Sequence, residues 1–343
     1  MGDFSGFAYP VGGTSRTWVR PTVIAMGRRG SSGGAVGTLA GRVAGMARQV
    51  WAAVRPVGGA QLFLWWCGTL LLVSAAVHGV VALVDGGPWL GSVTWRKPVV
   101  FGASFGLVTW SAVWVMRQLG RRWFGWPFAL VFGGSSLVEV ALITMQKWRG
   151  VPSHFNSGTP FDEGVFSAMG MTVLLVAAAT GFLLVWALVD FRGTAVARVA
   201  AVGGLLALAV AGYIGTDLIG EGDKVYAATG HVPEDLVFGA AGSAKLAHAI
   251  GIHGIQVLIV LAVLLEGTAL ATRARLWTML VATAGYAAVY AAVTVTAYAG
   301  RAWTDPTLPV AVLGLVGVVG VGVGFWQAVV TREVADERSA VAV

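Results

Sequence analysis

Residues 164–189 read GVFSAMGMTVLLVAAATGFLLVWALV, an unbroken stretch without one charged side chain. A helix needs about 20 apolar residues to cross a hydrocarbon core about 30 Å thick. In lipid its backbone amides must find their partners within the segment. The stretch therefore predicts a membrane-spanning helix. Its start carries helix punctuation, with Thr159 as N-cap, Pro160 in the first turn and Asp162 three residues past the cap.

Seven further stretches qualify as spans: 61–84, 98–119, 127–147, 198–219, 244–266, 275–298 and 307–331. Pro98 opens the second span and Ser243 precedes the sixth. The expected fold class is thus all-α, a polytopic transmembrane bundle of about eight spanning helices. Composition agrees: 57% of the 343 residues are hydrophobic and 11% are charged. The mean hydropathy is +0.77, well outside the soluble globular range. The 49 glycines and 15 tryptophans fit close helix packing and bilayer interfaces respectively. A single cysteine, Cys67, excludes an intrachain disulfide and any Cys-rich metal site.

Orientation follows from the 23 Lys and Arg residues. With the N-terminus in the cytoplasm, all but Arg96, Lys97, Lys147, Arg149, Lys224, Lys245 and Arg301 face inward, as the positive-inside rule prefers. Both termini are then cytoplasmic and the expected location is the cell membrane. Residues 1–58 form a Gly/Arg-rich cytoplasmic segment without the apolar core of a secretory signal. Disorder is expected up to about residue 37. Within 39–55, Leu39, Val43, Met46 and Val50 fall at helical spacing between arginines, which predicts an interfacial amphipathic helix. Residues 59–331 form the bundle and 332–343 a cytoplasmic tail. No internal repeat is evident in the sequence.

On this topology the unusual polar residues gather toward one face. His78, Glu139 and Asp217 fall in the outer parts of their spans, His248, His253 and Gln256 in the outer to middle part of theirs, and His154 and His231 in outer loops. A charged side chain near a helix centre costs about 2.5–3.5 kcal/mol on insertion scales, so Glu139 needs a partner or a wet cavity. Ser135, Glu139 and Gln146 fall within about 40° of one another on a helical wheel. They form a stripe aimed at the loop MQKWRGVPSHFN (145–156), which carries Lys147, Arg149, His154 and Asn156. Ser74 and His78, four apart, share a face. His248 and His253, five apart, diverge by about 140° and form a poor chelate. Arg96 and Lys97 add a second basic pair at the level of Lys147 and Arg149. Four cations on the less basic side call for an anionic ligand or for Glu139 as partner.

The segments WRKPVVF (95–101), QKWRGVPSHFN (146–156) and HAIGIHGIQVL (248–258) resemble the recurring signatures of an uncharacterised family of multi-pass bacterial membrane proteins. That resemblance covers about residues 60–300 and implies no function. The run Ser74-Ala-Ala-Val-His78 with a later His pair also resembles the zinc-dependent intramembrane hydrolases related to alkaline ceramidases. In those the pair is spaced by four; here the spacing is five and the site faces outward.

The reading favoured on these grounds is an outward-facing intramembrane pocket that binds haem or a divalent metal ion for redox or hydrolytic chemistry. Haem b would take His78 with His248 or His253 as axial ligands, with Arg96, Lys97, Arg149, Asn156 and Gln256 around it. A metal ion would take His78, Glu139 and His248, with Glu139, His154 and Asp217 as catalytic groups. The alternatives are a proton-coupled transporter of a small anionic solute and a non-catalytic sensor or assembly factor. Against transport stand the scarcity of polar residues in the inner half of the spans and the absence of a repeat. A bilayer and a small ligand are the expected partners. Nucleic acid is not, because the inner charges are spread over short loops.

Overall fold

A computed structural model describes residues 39–233 and 236–341. Among the described residues there are nine α-helices and no strand. They are α1 (Leu39–Ala53), α2 (Gly59–Asp85), α3 (Arg96–Arg117), α4 (Gly125–Trp148), α5 (Pro160–Val189), α6 (Ala195–Thr229), α7 (Ala244–Glu266), α8 (Thr272–Tyr298) and α9 (Leu308–Val341). Helices α2 to α9 each contain a stretch long and apolar enough to cross a membrane. The chain divides into two units, 1–42 and 43–343, and the bundle belongs wholly to the second. The disorder expected up to residue 37 lies outside the described residues.

The spans follow the expected boundaries closely, with two exceptions, both at C-terminal ends; the eighth was expected to end at 331, whereas α9 continues to Val341. The fifth was expected to end at 219, whereas α6 continues to Thr229 and stops at Gly230, whose φ of 68° makes the left-handed cap. At 1.5 Å per residue its 35 residues reach about 52 Å, far beyond the hydrocarbon thickness. The extra turns carry charge on solvated faces, as in the Lys224–Glu221 pair at 2.6 Å.

Close packing explains the glycine content. A Cβ added at Gly285 of α8 would come within 2.7 Å of the Gly317 carbonyl of α9, so these two helices touch backbone to backbone. The first four spans and the last four share most of their neighbours. In the first half α2 packs on α3 and α4, α3 on α4, and α4 on α5; in the second α6 packs on α7 and α8, α7 on α8, and α8 on α9, while α7 also packs on α9, a contact without a comparable counterpart between α3 and α5. The halves meet where α3 lies on α7 and α5 on α6.

The amphipathic segment is helical as α1, and its C-terminal part is tied to the bundle. Arg117 Nη1 lies 2.8, 2.7 and 2.8 Å from the carbonyls of Ala52, Ala53 and Arg55. A cation there meets the negative end of the helix dipole. Gln49 donates to the Val263 carbonyl of α7 and accepts from Arg332 of α9. Trp51 packs edge-on against Trp65 and Trp110, which stack on each other.

Candidate functional site

The loop joining α4 to α5 folds around one buried carboxylate. Thr159 caps α5 as expected, accepting from the Asp162 amide. The Asp162 side chain, 4% exposed, accepts from Gln146 Nε2 at 2.9 Å, from Thr159 Oγ1 at 2.7 Å, and from Arg149. Arg149 is thus neither a free anion ligand nor the partner of Glu139. It also reaches Gln146 and lies over the Phe161 ring. Asn156 serves the loop backbone, donating to the Pro152 carbonyl and accepting from the Gly158 amide.

Next to this knot the loop is strapped to α6. Phe155 takes a left-handed backbone (φ 56°), and its ring presses on Gly222, where an added Cβ would stand 2.1 Å from Phe155 Cζ. Ser157 and Tyr226 share a hydroxyl contact of 2.6 Å. His154 packs among the rings of Phe101, Phe155 and Phe166, with Nδ1 2.9 Å from Ser153 Oγ. Shielding from water pushes its imidazole down to about 3, and the positive charge of Lys97 pushes the same way. At neutral pH His154 is an uncharged ring in an aromatic wall.

His78 has both ring nitrogens engaged. Nδ1 lies 2.7 Å from the Ser74 carbonyl, and Nε2 accepts from Trp148 Nε1 at 3.1 Å. Trp95 stacks on its face and Trp148 meets it edge-on. Trp95 in turn donates to Asp85 at 2.7 Å and carries the Lys147 ammonium 4.4 Å from its ring centroid.

Between the α3 start, the α4 end and the loop lies a tight crevice, without room for a water molecule as the side chains stand, lined by Ser92, Val93, Thr94, Lys97, Ile143, Lys147, Val151 and Ser153. Three features set it apart. Among the described residues no carboxylate lies within ion-pair distance of Lys97 or Lys147. Thr94 is 3% exposed, yet its hydroxyl has no partner. Such a buried orphan costs about 1–3 kcal/mol. The first turn of α3, with its positive dipole end, also belongs to the wall. An ion can enter only when the side chains lining the crevice move apart.

The remaining candidates stand apart from this cleft. Glu139, 1% exposed, bonds to Thr172 of α5 at 2.6 Å and to no cation, a pairing the sequence reading missed. Asp217 accepts from Tyr298 at 2.5 Å. His248 turns toward α6, with Nδ1 2.7 Å from the Ala211 carbonyl, whereas His253 turns toward α3, with Nε2 3.2 Å from Ser104 Oγ. The divergence expected from their spacing is therefore present. Gln256, with its oxygen toward α3, lies 3.2 Å from Ser111 Oγ and donates to the His253 carbonyl at 3.1 Å. Arg96 has its buried Nε without a partner.

These placements do not assemble the haem or metal site. His78 offers no unengaged ring nitrogen, and it lies on α2, which α3 separates from the α7 histidines. Among the described residues no three His, Cys, Asp or Glu side chains come together as a metal-binding group. No family model, curated protein or solved structure matches the chain.

Proposed function

We propose that this multi-pass membrane protein binds a small oxyanion, a carboxylate or phosphate group, in the cleft between Lys97 and Lys147. The observation that carries the proposal is the meeting of two lysines lacking carboxylate partners with the orphan hydroxyl of Thr94. Two lysines lining one crevice at a helix end without a carboxylate partner favour an anion, which would also satisfy the hydroxyl. Ser92 and the helix start of α3 add further donors.

In this reading the site faces away from the cytoplasm, with both termini inside, on the strength of the arginine distribution. Two of the segments that resemble the uncharacterised bacterial family, 95–101 and 146–156, supply Lys97, Lys147, Val151 and Ser153. If the kinship holds, the cleft is the family's shared feature. Haem or metal chemistry at His78, Glu139 and the α7 histidines is the weaker reading, since those groups serve separate helix contacts.

Calorimetric titration of the detergent-purified protein with inorganic phosphate and with acetate tests the proposal. Each charge-assisted bond contributes about 1.5–3 kcal/mol, so Lys97→Met or Lys147→Met should weaken binding by about tenfold or more. Thr94→Val should weaken it less. Absence of binding by the wild type, or undiminished binding by both lysine variants, would remove the proposal.

A further inference from the structure

The inference starts at the junction of the two halves. Each half is four helices with most neighbours in common, and the second helix of one, α3, lies against the second helix of the other, α7. The two run in the same direction. Lys97 and Lys245, at their starts, are close enough to repel each other. Further along, Ser104 Oγ meets His253 Nε2 at 3.2 Å, and beyond that Ser111 Oγ meets the Gln256 amide at 3.2 Å.

Lys97, Ser104 and Ser111 recur every seven residues, so they share one face of α3 at steps of about 10.5 Å. Gln118, at the far end of the same helix, continues the series. From Lys97 to Ser111 the polar face descends about 21 Å of a hydrocarbon core about 30 Å thick. Ser111 adds one polar group to the otherwise sparse inner half, and its hydroxyl also donates to the Leu107 carbonyl of its own helix at 2.8 Å. Ser104, His253 and Gln256 are half-buried, and Ser111, deeper on α3, is buried.

From these observations we infer that the protein is a transporter, and that the α3–α7 seam is the route along which the oxyanion held at the Lys97–Lys147 cleft crosses the membrane. The inference rests on the anion reading of the cleft, which forms the mouth of the route. Two helix groups with polar side chains at membrane depth on their shared interface offer a surface on which one group can rock against the other around a site. Hydroxyl, imidazole and amide donors suit an oxyanion that has left water, and His253 and Gln256 come from the half facing Ser104 and Ser111. The competing role for these groups is interhelical bonding alone, a common use of Ser, Gln and His in membranes.

The experiment uses full-length protein in liposomes, with Cys67→Ala so that no native thiol interferes, and radiolabelled inorganic phosphate and acetate as probes. A Ser104→Cys/His253→Cys pair is then oxidised to bridge the seam and afterwards reduced. Uptake above protein-free vesicles, lost on oxidation and restored by reduction while calorimetric binding persists, is the expected result. Reversal by reduction guards against a merely misfolded variant. Binding without uptake, or undiminished uptake by the bridged protein, would overturn the route and leave the cleft standing. Failure to bind either probe would overturn both.

Discussion

Removing the Asp162 carboxylate tests how the cleft is built. In Asp162→Ala three bonds disappear: two from the neutral donors Gln146 and Thr159, at about 1 kcal/mol each, and one from the Arg149 guanidinium, at about 1.5–3 kcal/mol. Arg149 keeps 37% of its side chain exposed and can turn to water, so the charged bond counts at its lower end. The expected loss is about 3.5 kcal/mol, seen as a melting temperature lower by several degrees in scanning fluorimetry. Anion affinity should fall with it, because Val151 and Ser153 lose their support. A thermodynamic cycle with Arg149→Met isolates the pair. If the Ala variant melts with the wild type and the coupling is below about 0.5 kcal/mol, the buried knot does not organise the loop.

Gly222→Ala should destabilise the protein by about 1–3 kcal/mol, because the new methyl meets the Phe155 ring, while Gly220→Ala, with open space, should be neutral or stabilising. A chemical denaturation series comparing the two checks this. His154 gives a pH signature. The unfolded chain binds a proton near the ordinary value of 6.5 and the folded chain only near about 3, so stability is complete above that window and declines as pH falls through it. His154→Phe should flatten the decline in melting temperature between those limits. Glu139→Leu should leave stability equal or raised, since Thr172 keeps its bond to the Met169 carbonyl and a membrane acid is removed. A lower melting temperature in that variant would show that the carboxyl supports the fold.

Hydrophobic length was enough to mark all eight spans, and Thr159, Pro160 and Asp162 declared the start of α5. The end of α6 escaped because Glu221, Asp223 and Lys224 read as loop charges; on a helix that leaves the bilayer they are solvated faces. Arg149 was misjudged for a related reason. Helix-terminus preference already accounted for Asp162, which concealed the ion pair that buries it. Angular spacing correctly separated His248 from His253, yet it could not say that Ser104 faces one and the Ala211 carbonyl the other. The likeness of the two halves is written in which helices touch, and Lys97 and Lys147 became a site only through Thr94, an unremarkable residue in the sequence.

Diffraction from crystals soaked in selenate, a tetrahedral oxyanion that scatters anomalously, bears most directly on the anion cleft. One anomalous peak is expected within hydrogen-bond reach of Lys97 Nζ, Lys147 Nζ and Thr94 Oγ1. A cleft without a peak, with either lysine turned onto a carboxylate of the chain, would contradict the account.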